Sequence, residues 1–226
     1  MSYKRYQLEV AITQVANPGA KEPPSVLRNR IKRLLELDRN LGRKLRSSKP
    51  EERNFAFFSE EAPGTGADVS FSEYDAFALF TALTIMAHGW PQSFAVLVMR
   101  HVRLDLMAEH SRILSLDPKK LFDMNAIRAK ARPGDLYVES TDPVFLMVAT
   151  DALGARNNRK AAPRCAVCNG PEDVQDFRKQ MNGGSLTMWE VTKMAHEFHT
   201  RLRQIEPRRR GRALKRTDRR RKVANS

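Results

Sequence analysis

The chain has 226 residues, 41% of them hydrophobic and 29% charged, a balance typical of a folded and soluble protein. No apolar run approaches the roughly 18 residues of a membrane span, so we expect no membrane-spanning helix. The only cysteines are Cys165 and Cys168, so a disulfide framework is excluded as well. Because the first residues also lack the apolar segment of a secretory signal, we expect a cytoplasmic protein.

The formal net charge of +14 is distributed very unevenly. Residues 1–60 carry 13 Lys and Arg against 7 Asp and Glu, residues 61–200 carry 15 against 17, and residues 201–226 carry 12 against 2. Two basic ends around a near-neutral centre indicate a polyanionic partner, most commonly nucleic acid. A tail that serves only solubility would explain the last segment alone.

The first third of the chain predicts two helices and a hairpin. Residues 6–16 favour a short helix, although their β-branched side chains also permit a strand. After the Pro- and Gly-containing residues 17–24, an amphipathic helix begins at Ser25. Its apolar face carries Leu27, Ile31, Leu34 and Leu35, and its basic face carries Arg28, Arg30, Lys32 and Arg33. Residues 39–53 form a basic connection, and residues 54–71 predict a hairpin with a Pro-Gly-Thr-Gly turn.

Two apolar helices are predicted next. A capping-box pattern that begins at Ser70 opens a helix over 72–87, and Gly89 is its expected stop. We expect Trp90, at the corner, to pack across this helix and the following one.

The second of these helices is predicted over 91–115, with Pro91 in its first turn. Its sequence becomes increasingly charged after Arg100. We therefore expect its end to leave the core.

The remaining sequence is more varied. Residues 116–150 predict a helix and β-hairpin accessory region, with the hairpin over 135–150. Residues 151–184, rich in Ala, Asn, Pro and Gly, predict a linker, and residues 185–206 a C-terminal helix. Residues 207–226 form a basic tail that is too charged to bury, and we expect it to be disordered until bound.

This order of helix, basic helix, hairpin and paired helices resembles the MerR-type winged-helix regulators. Residues 69–103 are similar to that family's helices after the wing, and Val26-Leu27-Arg28 stands where the family has Thr-Leu-Arg. The resemblance covers roughly residues 6–107. It implies a winged helix-turn-helix domain over 1–115 that presents a basic helix to the major groove of DNA, as a homodimer. Departures are the long segment between the first two helices, Asn29-Arg30-Ile31 in place of aromatic-aromatic-Glu, and a basic insertion before the wing.

The resemblance implies that Arg28 contacts a phosphate or a base edge. Charge and position alone add ten further candidate DNA-binding residues: Arg30, Lys32, Arg33, Arg43, Lys44, Arg46, Arg53, Arg208, Arg209 and Arg210. Contacts of Lys and Arg with phosphate make affinity salt-dependent but do not specify sequence. A solvated helix face is the alternative for each of these residues.

The sequence also contains two pairs of side chains of the types that ligate zinc. Two thiols and two imidazoles could supply four ligands: Cys165, Cys168, His196 and His199. The pairs lie far apart in sequence, and unliganded thiols with surface histidines are the favoured alternative. We expect no cofactor. The chain has no Gly-rich phosphate loop and no nucleophile elbow, so we do not expect an enzyme.

Together these patterns predict a mainly α protein with short β-hairpins, a winged helix-turn-helix-like N-terminal half, a small α+β region and a basic tail. The expected function is binding of duplex DNA, as in a transcriptional regulator. The alternative is a helical interaction or assembly protein whose tail binds RNA or another polyanion nonspecifically.

Overall fold

A computed structural model describes residues 2–60, 69–150, 164–181 and 184–207, which form a mainly helical protein with small antiparallel sheets. The elements run in the order β1 (Tyr3–Lys4), α1 (Arg5–Ala16), α2 (Ser25–Leu41), α3 (Pro50–Arg53), β2 (Ser70–Phe71), α4 (Glu73–Ala87), α5 (Gln92–His101), α6 (Arg103–Ser115), α7 (Pro118–Leu121), α8 (Met124–Lys130), β3 (Val144–Thr150), β4 (Arg164–Asn169), α9 (Gly170–Lys179), β5 (Ser185–Glu190) and α10 (Val191–Gln204). None of the described helices combines the length and apolar character needed to cross a bilayer.

The hydrophobic core is built around α4. This helix is apolar on nearly every side, and α2, α5, α6 and α10 pack against it. A helix of that composition must be covered by neighbours, since any face left open would expose apolar surface to water. Helix α1 packs mainly on α10, so the two ends of the described chain lie against each other.

The ends of α4 follow local sequence signals, and the predicted helix over 72–87 is confirmed. Ser72 caps it, because its hydroxyl accepts a hydrogen bond from the backbone N–H of Asp75 (3.0 Å). The Asp75 carboxylate accepts in return from the Ser72 backbone N–H (3.3 Å). The cap is therefore Ser72 and not Ser70. Gly89 follows the last turn with a φ of 87°, a backbone conformation that favours glycine.

The predicted helix over 91–115 is two helices, α5 and α6, that meet at Val102. Trp90 is 5% exposed, and its ring stacks on Phe94 of α5 with centroids 4.6 Å apart. The expectation that the charged end of this stretch leaves the core is wrong. Arg100 and Arg103 are both buried, because each is neutralised by a buried carboxylate.

The larger sheet has the order β4-β3-β5, with both pairs antiparallel. Side chains alternate along β3, so Leu146 and Val148 face the helical core while Phe145 and Met147 face α9. With both faces covered, β3 is apolar from Val144 to Ala149, and a continuous apolar run is what the sequence shows there.

The hairpin predicted over 54–71 is wrong within the described residues. Residues 54–60 form no strand, and β2 pairs with β1 at the start of the chain. The expected turn falls partly in residues 61–68, which lie outside the described residues. Residues 55–58 are buried without a partner strand, because charged side chains satisfy their backbone groups.

Three predictions for the C-terminal half are corrected. Instead of a hairpin over 135–150, only β3 forms there, and its partners β4 and β5 come later in the chain. The linker expected over 151–184 contains β4 and α9, while residues 151–163 and 182–183 are not described. The helix expected over 185–206 begins as β5, because these residues pair with the open edge of β3 before α10 starts.

Candidate nucleic-acid interface

The basic face of α2 is directed to solvent. Ile31, Leu34 and Leu35 are buried, while Arg30, Lys32 and Arg33 are exposed. Lys32 lies 3.7 Å from Glu36, a weak surface pair. Neither Arg30 nor Arg33 makes an ion pair with any residue that the structure describes. Since they are three positions apart on a helix, Arg30 and Arg33 are neighbours on one side of it.

Arg28 is placed differently from these cations. Its guanidinium lies 3.3 Å from a carboxylate oxygen of Glu22 and 3.7 Å from one of Glu9. Its backbone carbonyl accepts a hydrogen bond from the Arg5 guanidinium (2.7 Å). The residue singled out by the MerR-type resemblance thus has its charge compensated and joins α2 to α1.

In the basic connection the predicted cations fall into two groups. Lys44 bonds Glu52 at 3.3 Å, and this hydrogen bond lowers the pKa of the Glu52 carboxyl. Arg43 lies over the ring of Phe55, 5.4 Å from its centroid. Two exposed cations make no ion pair with the part of the chain that the structure describes: Arg46 and Arg53.

A buried ion pair fixes the start and end of this connection. Arg100 Nε lies 2.6 Å from Asp38 Oδ1, and Arg100 Nη2 donates to the Asp38 carbonyl (2.5 Å). The Nη1 group donates to the carbonyls of Gly42 (2.8 Å) and Glu51 (3.3 Å). Because these carbonyls belong to the end of α2 and to α3, Arg100 holds both elements.

The same network continues into residues 54–58. The Asp38 carboxylate accepts hydrogen bonds from the backbone N–H groups of Ala56 (2.9 Å) and Phe57 (3.0 Å). Arg103 donates to the Ala56 carbonyl (2.9 Å) and to the Asp75 carboxylate (2.9 Å). Burial raises the pKa of Asp38, and Arg100 with the two backbone N–H groups opposes that effect. We call Asp38, Arg100, Asp75 and Arg103 the buried clamp.

No hairpin wing stands beside α2 in the described residues, and residues 17–24 separate α1 from α2. The arrangement displays guanidinium groups on a rigid base, which suits contact with phosphates. The tail candidates Arg208, Arg209 and Arg210 lie outside the described residues. The described chain approaches that tail at Ile205, whose carbonyl accepts a hydrogen bond from the Gln7 side chain (2.7 Å).

The four candidate zinc ligands do not lie together in the structure. Cys165 faces the helical core and Cys168 faces α9, because residues three apart on a strand point to opposite sides. Burial raises the pKa of both thiols, that of Cys168 to about 11. His196 Nε2 lies 3.1 Å from the Ile113 carbonyl. Among the described residues, no group of three or more His, Cys, Asp or Glu side chains is placed to hold a metal ion.

A groove of about 930 Å³ between α4, α6 and α10, lined by both polar and apolar side chains, was not predicted from the sequence. We call it the histidine groove, because His110, His196 and His199 line it. Its residues come from four separate parts of the sequence, and only the spacing of His196 and His199 on one helix gave any signal. Such a site is visible only once the helices are packed.

His110 is the most enclosed of the three, with 3% of its surface exposed. Its ring stacks on Phe77 (centroids 4.8 Å apart) and meets the edge of Tyr74 (5.9 Å). Burial lowers the pKa of His110 to about 4 and also lowers the pKa values of His196 and His199. All three imidazoles are therefore neutral near pH 7.

The chain was compared with protein-family models, curated proteins and solved structures, and none of them matches it. The resemblance to MerR-type regulators therefore depends on sequence pattern alone.

Proposed function

We propose that this protein binds nucleic acid, duplex DNA foremost, through phosphate contacts from α2, the basic connection and the basic tail. The observation that carries the proposal is that Arg30 and Arg33, three positions apart on α2, are both exposed and make no ion pair within the described part of the chain. The buried clamp holds the C-terminal end of this helix, so its cations meet a partner as one surface.

Charge supports the same conclusion. The net charge of +14 is concentrated at the two ends of the sequence, and Arg46 and Arg53 in the connection after α2 are exposed. Cations that contact phosphates release counterions on binding, so affinity falls steeply as salt rises.

The expected mode is binding to the backbone with little sequence preference. Arg28 is engaged by Glu9 and Glu22, and the described residues contain no wing to enter a groove. Phosphate contacts orient a protein on nucleic acid but carry no sequence information. Regulation of particular genes would require base contacts beyond these.

The test is a salt series with Arg30→Ala/Arg33→Ala in the full chain and a short DNA duplex. Loss of two phosphate contacts is expected to reduce the slope of log K against log salt by roughly 2. The matched control is Arg178→Ala/Lys179→Ala on α9, which removes the same charge from the far side of the sheet. The proposal fails if both variants change the slope equally or neither changes it.

The alternative, an assembly protein with a nonspecific tail, has one observation in its favour. Three apolar side chains among the basic residues are markedly exposed: Val26 at 59%, Leu41 at 49% and Leu45 at 67%. A chain ending at Pro207 keeps every described residue and decides between the two functions. Complete loss of duplex binding in that chain, with normal binding by the Arg30/Arg33 variant, favours the alternative.

A further inference from the structure

Two polar side chains that line the histidine groove make no hydrogen bond to any residue that the structure describes. The Tyr74 hydroxyl is fully enclosed, so an occupant of the groove does not reach it. His110 is 3% exposed, and its ring nitrogens are not among the enclosed unpaired atoms, so they remain open to the groove. A bound water or ligand can therefore pair with His110, which points to this ring as the contact of an occupant.

The groove carries no net charge near pH 7. Its acidic side chain, Glu73, lies 3.4 Å from the guanidinium of Arg203, so these two charges compensate each other. Burial lowers the pKa of His110, His196 and His199, which keeps the three imidazoles neutral. An uncharged occupant is therefore favoured.

The lining offers hydrogen-bond donors and acceptors beside apolar surface. The neutral imidazoles of His110 and His199 each supply one donor and one acceptor. The N–H of His196 is directed to the Ile113 carbonyl, so this ring offers only an acceptor. The hydroxyls of Ser111 and Thr200 add polar groups near solvent. Met107 and Leu114 contribute apolar contact. A volume of about 930 Å³ lies within the range of small-molecule sites. A flat ring with donors and acceptors on its edge can use both kinds of surface.

Two other occupants fit less well. An anion at the start of α4 would meet the Glu73 carboxylate, and Ser72 and Asp75 already cap that helix end. A metal ion lacks ligands, since no group of three candidate side chains is placed to hold one among the described residues.

We propose that the histidine groove binds an uncharged, flat nitrogen heterocycle of the nucleobase class, with His110 as its hydrogen-bond partner. The heterocycle could be a free nucleoside or a base of a single strand, since both present the same edge. This inference goes beyond the proposed function and does not depend on it.

The experiment titrates the full chain with adenosine, guanosine, cytidine and uridine, and separately with inorganic phosphate, while the histidine ring signals are followed by NMR. At least one nucleoside is expected to saturate the signals of His110 and His199. His110→Phe keeps an aromatic ring and removes both nitrogens, and loss of its hydrogen bonds is expected to weaken binding about tenfold.

His199→Ala, at a half-buried position, serves if His110→Phe fails to fold, and weaker binding is expected there too. The control is His88→Ala, an exposed histidine outside the groove, which is expected to bind as the unaltered chain does. The Arg30/Arg33 variant is also expected to retain nucleoside binding, so the result is independent of the DNA proposal.

Four outcomes overturn the proposal: no saturation by any nucleoside, saturation by phosphate alone, equal affinity in His199→Ala and the unaltered chain, or equal weakening in His88→Ala. A single-stranded oligonucleotide added to the nucleoside complex identifies the source of the ring. Displacement supports a base of a strand as the ligand, and persistence of the complex supports a free nucleoside.

Discussion

Arg100 and Asp38 form an ion pair whose side chains are 2% and 0% exposed, with Nε and Oδ1 2.6 Å apart. Removing two charges from water is costly, and such a pair is tolerated when hydrogen bonds satisfy its remaining atoms. Here backbone carbonyls accept from the guanidinium, and backbone N–H groups donate to the carboxylate. The pair thus replaces the strand pairing that residues 54–58 lack.

Arg100→Met is expected to destabilise the fold by about 3–5 kcal/mol, because it leaves the Asp38 carboxylate buried without its counter-charge. Chemical unfolding measures the loss. The control is Arg112→Met, which breaks half-exposed pairs with Glu109 and Asp142 and is expected to cost no more than about 1 kcal/mol for each pair. Similar losses in the two variants would contradict the importance of burial.

The two arginines of the buried clamp are expected to be energetically coupled. The Ala56 N–H is held by Asp38, the partner of Arg100, and the Ala56 carbonyl by Arg103. A double-mutant cycle with Arg100→Met and Arg103→Met should therefore give a coupling of about 0.5–3 kcal/mol. Lys179→Met, far from the clamp, should combine additively with Arg100→Met. Additivity in both cycles would show that residues 54–58 do not link the two pairs.

Trp90→Ala is expected to cost about 3–5 kcal/mol, because it removes a buried ring stacked on Phe94 and leaves a cavity at the corner of α4 and α5. The thermal midpoint reports the change. Tyr137→Ala provides the comparison, since Tyr137 is 75% exposed and its loss should leave the midpoint almost unchanged. An unaltered thermal midpoint for Trp90→Ala would contradict a stabilising role for the packing of Trp90 on Phe94.

Stability is expected to fall as pH drops from about 6.5 towards 4. Burial lowers the pKa of His110 from 6.5 to about 4, so the unfolded chain binds a proton over this range that the folded chain does not. The full effect corresponds to about 3 kcal/mol and is absent above pH 6.5. The lowered pKa values of His196 and His199 also reduce stability as pH falls. The carboxylate of Glu73 opposes the lowering of the His110 pKa.

Unfolding by urea at a series of pH values measures how steeply the free energy of unfolding changes with pH. His110→Phe retains a ring against Phe77 and removes the titrating group, so its stability should depend less on pH between 4 and 6.5. An unchanged slope in this variant would exclude His110 as the source.

Arg28→Ala and Arg30→Ala are expected to differ in duplex binding, although the residues lie two positions apart on α2. Arg28 already has Glu9 and Glu22 beside it, while Arg30 is exposed. Arg30→Ala should reduce the salt slope by about 0.9, and Arg28→Ala by much less. The reverse order would favour the contact that the MerR-type resemblance implies.

Local signals were sufficient to predict α2 and α4, and they favoured α1 while a strand stayed open there. Apolar spacing and turn residues act within a few positions, so the sequence around Ser25 or Gly89 contains the needed information. The strands were assigned to the wrong partners, because pairing joins distant segments. The apolar run of β3 is strand-like in isolation, but nothing near it shows that β4 and β5 flank it.

In the candidate site, too, local signals were sufficient for helix faces and insufficient for contacts between distant segments. Helical periodicity was enough to place Arg30 and Arg33 on an open face of α2. Periodicity could not show that Glu9, on another helix, forms an ion pair with Arg28. Nor could it show that Arg100 is buried, since a charge within an apolar helix normally indicates a solvent-facing position.

The opposite orientations of Cys165 and Cys168 on β4 make the two thiols separate reporters of local opening. A thiol-reactive reagent reaches Cys168 when α9 lifts from the sheet, whereas Cys165 requires the helical side to open. Comparing the alkylation rates of the two sulfurs in one sample would therefore show which layer of this protein detaches first.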